Sequence, residues 1–303
     1  MRQTALRTVY ELAKTNPKIV FIGSDLGVGT LEDMRKELPN QFFMDGISEQ
    51  HLIGFAAGLA KEGYVPFLNT IANFFSRRAL EQIILDVSLH GLPVKILASG
   101  GGMVYSPLGP THTATDDLAH MLSIPNLNVF APCDAPEMKA IIESESRSLS
   151  PAYIRFGKGG EKMVSDQFED SKNKEFKFIG NINAARVIIT SGVSVQPVLE
   201  AMDLIDNKSS VLIVHVTKLN LRGSKDLFQA LNNKLRILVV EEHQSLGGLL
   251  TQVLHFNFEH SLGINNIKSI SLGEKFVRKY GSQIDHFKNF GITPENIARE
   301  VLA

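Results

Sequence analysis

The sequence predicts an α/β protein of two doubly wound domains, the first on a mainly parallel sheet and the second smaller. Three observations predict it. Short, continuous apolar runs alternate with helical patterns, as parallel strands covered on both faces require. The alternation stops once, over a polar, glycine-bearing stretch after residue 157, and then resumes. The 303 residues suffice for two separate cores.

In chain order, apolar runs predict strands at 18–22, 65–68, 94–98, 127–130 and 152–154. Helical periodicity places helices at 3–13, 48–61, 77–89, 115–122 and 135–144. These elements make a first domain of residues 1–157. Residues 158–179 are charged and without period, and read as a linker. The second domain, 180–303, has strands at 186–190, 211–216 and 235–241, with helices at 195–206, 225–231, 247–256 and 294–302. No long internal repeat and no low-complexity tract is present.

The 31 basic and 32 acidic side chains nearly cancel, so no steering toward nucleic acid or a membrane surface is implied. The single cysteine, Cys133, rules out an intrachain disulfide and points to a reducing, cytoplasmic location. It sits in a loop without an electropositive neighbour, which gives no reason to read it as a nucleophile. The amphipathic start of the chain is not a signal segment, and no apolar run approaches a membrane span.

The segment Gly46-Ile47-Ser48-Glu49-Gln50-His51 carries the strongest chemical signal. Gly46 suits a tight turn, Ser48 suits an N-cap, and Glu49 falls in the first helical turn. The following residues, Leu52 to Ala60, are apolar nearly all round, as in an interior helix. Taken alone, Glu49 reads as a helix-capping acid. The alternative is a buried glutamate holding a proton on a cofactor, since a carboxylate at the head of a buried helix needs a partner.

Other candidates lie at predicted strand ends, where open α/β sheets bind ligands. Gly100-Gly101-Gly102 follows a strand but lacks the order of a nucleotide loop. It leads to Gly109-Pro110-Thr111-His112, a rigidly held histidine. Phe74-Phe75-Ser76-Arg77-Arg78 lies at another strand-to-helix junction, with an aromatic able to stack on a flat heterocycle and Arg78 able to meet an anion. Arg155 ends a strand and is a candidate for a phosphate or carboxylate. The zinc, redox and esterase motifs H-E-x-x-H, C-x-x-C and G-x-S-x-G are absent.

Together these segments resemble the C-terminal half of the transketolase family of thiamine diphosphate enzymes, over essentially the whole chain. Glu49 falls in the family's glutamate motif, and Gly109-Pro110-Thr111-His112 with Asp117-Leu118-Ala119 matches its G-P-T-H segment. Gly23-Ser24-Asp25-Leu26 matches its G-S-A-D-L segment with one residue fewer, and Phe75 falls where the family stacks a phenylalanine on the aminopyrimidine. Val240-Glu241-Glu242-His243 with Gly247-Gly248 looks like its C-terminal domain signature. The resemblance implies that 1–157 is a thiamine-pyrimidine-binding domain and 180–303 a transketolase C-terminal domain.

It also implies that Glu49 hydrogen-bonds N1′ of the cofactor and so promotes loss of the thiazolium C2 proton. Glu49 and His112 are then the catalytic residues. Glu49, Phe75 and Asp25 hold the cofactor, and His112, Arg78 and Arg155 meet the substrate. The G-D-G that binds Mg²⁺ and diphosphate in the family is missing. No metal ligand is therefore assigned to this chain. Mg²⁺ and the diphosphate are expected on a separate partner subunit, in an α₂β₂ heterotetramer inactive without it. Leu108 and Gly100 stand where sugar transketolases carry an aspartate and a histidine, which weakens the expectation of a polyhydroxylated donor.

The reaction implied is transfer of a two-carbon ketol unit from a ketose, sugar phosphate or modified sugar, to an aldose. The alternatives are a 2-oxo acid dehydrogenase β subunit, a 1-deoxyxylulose-5-phosphate-synthase-like carboligase subunit, and a non-catalytic binding protein on the same fold. His243 reads as a fold element and is not taken as a site residue.

Overall fold

The computed structural model describes residues 1–25, 29–168 and 175–303. Leu26, in the segment matched after the first strand, lies outside them, as do residues 169–174 of the predicted linker. The first sheet has six strands: β1 (Ile19–Gly23), β2 (Phe42–Met44), β3 (Val65–Ile71), β4 (Lys95–Ser99), β5 (Asn128–Phe130) and β6 (Ala152–Phe156). Their order is β2-β1-β3-β4-β6-β5 and every neighbouring pair is parallel. Helices cover both faces. Arg2–Thr15 and Ala135–Glu145 pack on one side through Leu6, Val9, Phe21 and Ile142; Glu49–Lys61 and the segment after β3 pack on the other through Leu52, Ile53, Phe75 and Val87.

Strand order reverses between β1 and β3, because the chain leaves β1 toward β2 and returns on the opposite side. The carboxyl ends of those two strands flank the crevice where such sheets take ligands. The fold thus directs Ser24 and Asp25, after β1, and Asn73 to Arg78, after β3, toward one place.

The second sheet contains β7 (Phe176–Gly180), β8 (Arg186–Thr190), β9 (Val211–Val216), β10 (Arg236–Val240) and β11 (Ile267–Ile270), in the order β11-β10-β8-β9-β7. Only β7 runs antiparallel to its neighbour. The predicted linker of 158–179 therefore ends in a strand. The three strands that the sequence pattern missed, β2, β7 and β11, are all sheet edges. Edge strands bury less, and β7 and β11 carry lysines that blur the apolar run.

The predicted helix of 77–89 also differs. It begins at Ala72, directly after β3, breaks at Ala79, and ends in a π-helical turn, Ile83–Ser88. One period does not describe three helical geometries.

The two sheets share one continuous apolar cluster running from Leu52 and Leu118 to Val214 and Leu249. The free edge of β5 is closed by the second domain: Ala131 N–H donates to the Thr217 carbonyl at 2.9 Å, and Leu219 N–H to the Val129 carbonyl at 2.8 Å. Among the described residues, no helix is long and apolar enough to cross a membrane.

Candidate active site

The site starts from a turn. After β2, Gly46 takes φ +72° with open space around it, so glycine is favoured by backbone conformation and not by crowding. The Glu49–Lys61 helix follows, with Ser48 at the N-cap position. Contrary to expectation, the Ser48 hydroxyl does not cap the helix; it donates to the Asp45 carbonyl at 3.2 Å. The first turn keeps its N–H groups free of a side-chain cap, and Glu49 packs inward with 4 % of its surface exposed. The interior face of this helix is Leu52, Ile53, Ala56, Ala57 and Ala60; Phe55 and Leu59 are only half-buried, so the helix is not enclosed all round.

Arg78 supplies the partner that a buried carboxylate needs. Its Nη1 lies 3.2 Å from both Glu49 oxygens. The guanidinium stacks 3.8 Å from the centre of the Phe74 ring, and the same ring meets His112, centroids 5.3 Å apart in an edge-to-face arrangement. The His112 Nδ1 is 2.9 Å from Thr111 Oγ1. Asn73 donates to the Thr111 carbonyl and ties the two loops together. Glu49, Arg78, Phe74 and His112 therefore form one contiguous set. A cavity of about 490 Å³ lies beside it, lined by residues 47–51 and Arg78.

Phe75 is not part of this set. It is fully buried in the apolar cluster, whereas Phe74 is half-exposed between Arg78 and His112. Because the helix starts at Ala72, position 75 turns inward and position 74 outward. Of the two rings, Phe74 is the one exposed beside Arg78. Phe74→Ala should leave the melting temperature nearly unchanged. Phe75→Ala should cost about 3–5 kcal/mol of stability by opening a core cavity. Thermal melts of both variants check this.

Asp25 is exposed at the end of β1, its Oδ1 2.8 Å from Ser24 Oγ, which is in turn 2.9 Å from Thr70 Oγ1 at the end of β3. It stands at the crevice, without a contact to Glu49.

Arg155 is a correction. Its Nε donates to Asp117 Oδ2 at 3.0 Å, and its Nη2 to the carbonyls of Ala114 and Glu242 at 3.2 and 2.8 Å. The end of β6 is covered by the second domain, so a cation there is enclosed and paired, not presented to a substrate.

Two further residues escaped the sequence reading, Asn73 and Tyr105. Gly100 has φ +72°, and a Cβ there would lie 2.0 Å from the Tyr105 ring. Tyr105 thus fills the space that any side chain at position 100 would enter, and its hydroxyl is 3.5 Å from Arg2 Nη1. Leu108 is 55 % exposed. Only the compensation at Gly100 had a local signal, a glycine followed five residues later by an aromatic.

Among the described residues, one trio could in principle hold a metal: Cys133, Glu137 and His215, all buried at the domain seam. Glu137 already receives Lys177 Nζ at 2.9 Å, His215 Nε2 at 2.9 Å and the Thr217 hydroxyl at 2.6 Å. Burial alone would raise its carboxyl, but His215 and Lys177 hold it well below the usual range. Glu137 is thus already engaged across the domain seam by Lys177, His215 and Thr217.

The family described as "Transketolase, pyrimidine binding domain" matches residues 1–160. One of the subunits of an apulose-4-phosphate transketolase from Phocaeicola vulgatus is 30 % identical, over 99 % of this chain and 96 % of that protein. A "1-deoxy-D-xylulose-5-phosphate synthase" of Syntrophus aciditrophicus is 32 % identical over 97 % of this chain, which spans 45 % of that enzyme's length. Among solved structures, a "Split gene transketolase, inactive beta4 tetramer" superposes with a TM-score of 0.84 at 29 % identity, covering 99 % of this chain and 96 % of the other.

Proposed function

We propose, because the chain belongs to the transketolase pyrimidine-binding domain family, that it is one subunit of a split, thiamine diphosphate-dependent transferase that moves a two-carbon ketol unit from a ketose to an aldose. The observation that carries this reading is the buried Glu49 carboxylate beside the half-exposed Phe74 ring and His112. The residues fit a pyrimidine: an acid at the head of a helix, an aromatic face next to it, and a cavity beside both.

Thiamine diphosphate, when bound, supplies an electron sink for the carbonyl carbon being transferred. What this chain contributes is positional. Glu49 holds a proton toward N1′ of the pyrimidine, Phe74 packs on the ring, and His112 stands where a substrate oxygen needs a hydrogen-bonding group. Arg78 now occupies the Glu49 oxygens; with 46 % of its side chain exposed, it is free to turn outward when the pyrimidine arrives and to meet a substrate anion.

The diphosphate and Mg²⁺ belong, in this reading, to a partner subunit in an α₂β₂ assembly. Support comes from the missing G-D-G and from the exposed apolar side chains Ile47, in the cavity lining, and Leu85 and Leu89, in and directly after the π-helical segment packed against the Glu49–Lys61 helix. Such side chains suit burial against another chain.

A second reading, a synthase-like carboligase using a pyruvate-type donor, is favoured by the similarity to 1-deoxy-D-xylulose-5-phosphate synthases and by Gly100 and Leu108. Co-expression with the candidate diphosphate subunit, followed by a donor screen, separates the two. Turnover of ketose donors, with tight cofactor binding only in the complex, is expected. Turnover of pyruvate alone would select the second reading, and tight thiamine diphosphate binding by this chain by itself would contradict the split site.

A further inference from the structure

The cavity beside Glu49 is lined by first-domain residues alone, yet the second domain grips the loop that carries His112. After β10 come three buried residues, Glu241, Glu242 and His243. Glu241 caps the Leu249–Glu259 helix, accepting the N–H groups of Leu249 and Leu250 at 2.7 and 3.0 Å. His243 accepts Ala119 N–H at 3.4 Å on Nε2, with Nδ1 2.8 Å from the Gln244 carbonyl.

Glu242 instead reaches across the seam. Its Oε1 accepts Met103 N–H at 2.9 Å and Gln283 Nε2–H at 2.6 Å. Gly102 and Ala114 form an antiparallel bridge that closes the neck of the loop, with hydrogen bonds of 3.0 and 2.9 Å. One side of that neck is held by the Glu242 carboxyl. The other is held by Arg155, which bonds the Ala114 and Glu242 carbonyls together. The fit is close: Gly102 sits at φ +66°, and a Cβ there would lie 2.2 Å from Glu242 Cδ. Farther along the loop, the Ser106 hydroxyl donates to the Gly281 carbonyl at 2.7 Å.

We propose that Glu242 is a positioning residue: through its carboxyl the second domain fixes the neck of the 102–114 loop, and with it the place of His112. The connection to turnover rests on His112 acting on substrate, as proposed above; the order of the loop does not.

The joint is sensitive to pH. Burial pushes the Glu242 carboxyl up to about 7, against the pull of Arg155, Gln283 and Met103 N–H; Asp117 adds to the rise. The charged and titratable groups around it are Arg155 on β6, Asp117 at the start of the Asp117–Leu122 helix, Glu241 and His243 beside it in the chain, and Asp285 and His286 on the Gln283–Asn289 helix, where burial lowers His286. Burial likewise raises Glu241 to about 7 and lowers His243 to about 4. A carboxyl whose folded value exceeds its ordinary 4.5 stabilises the fold fully below that value and loses the contribution as pH rises through about 7.

Amide exchange across 102–114 in the full chain, corrected for the intrinsic pH dependence, tests the proposal at pH 6 and 8. Wild type should lose protection in the loop by about tenfold between them, the factor by which a group titrating near 7 changes its ionisation. Glu242→Gln should keep the protection and abolish the step, whereas Glu241→Gln should keep the step. Glu242→Ala should leave the loop unprotected at both pH values. The proposal is overturned if folded Glu242→Gln retains the wild-type step, or if folded Glu242→Ala protects the loop within about twofold of wild type. Should Glu242→Ala fail to fold, Glu242→Gln decides alone.

Discussion

Glu49→Gln in the reconstituted complex should lower turnover by about 10²–10⁴-fold, the usual loss when a positioned acid–base group is removed. Glutamine keeps the size and the hydrogen-bonding reach but cannot hold a transferable proton. The fold should survive. Glu49 is buried, but its partner Arg78 is half in solvent, and the helix behind it packs through Leu52, Ile53 and Ala56, which are untouched. An unchanged melting temperature with lost turnover places the effect in the chemistry. Turnover within a few-fold of wild type would remove Glu49 from the mechanism. Arg78→Ala is a useful contrast: it keeps the Glu49 carboxyl but leaves it buried without its partner, at a cost of about 1–3 kcal/mol.

Arg155→Ala should cost about 3–5 kcal/mol of stability, because it strips the partner from a buried charge. Asp117 is fully buried and would keep only the Tyr153 hydroxyl, at 2.9 Å. The carbonyls of Ala114 and Glu242 would lose their shared donor as well. Urea denaturation measures this directly. A variant that unfolds at the wild-type urea concentration, but shows a raised KM for a phosphorylated substrate, would restore the substrate-binding role that the sequence suggested for Arg155.

The contrast between Arg155 and Glu49 shows what the sequence could reveal. Glu49 sits in a local pattern of turn, helix start and apolar helix, and each part is readable over a dozen residues. The strand ending in Arg155 was equally readable. What covers its end was not, because the covering carbonyl belongs to Glu242, 87 positions away. Which of Phe74 and Phe75 faces outward was hidden for a different reason. The pattern placed the helix start at 77, whereas β3 passes into a helix at Ala72 without a loop, and that offset decides which ring turns inward. The parallel interior strands were legible because both faces are apolar. β2, β7 and β11 were not, since edges mix polar residues into short runs. Similarly, Gly100 was legible as a missing side chain, but only the folded loop shows the Tyr105 ring occupying its place.

The central claim is that Glu49 acts on the proton of a cofactor that another subunit helps to hold. Exchange of the C2 proton of thiamine diphosphate for deuterium, followed by NMR on the reconstituted complex, tests it most directly. The wild-type complex should exchange this proton at least about 100-fold faster than the Glu49→Gln complex with the cofactor equally bound. Equal exchange rates in the two complexes would contradict the account.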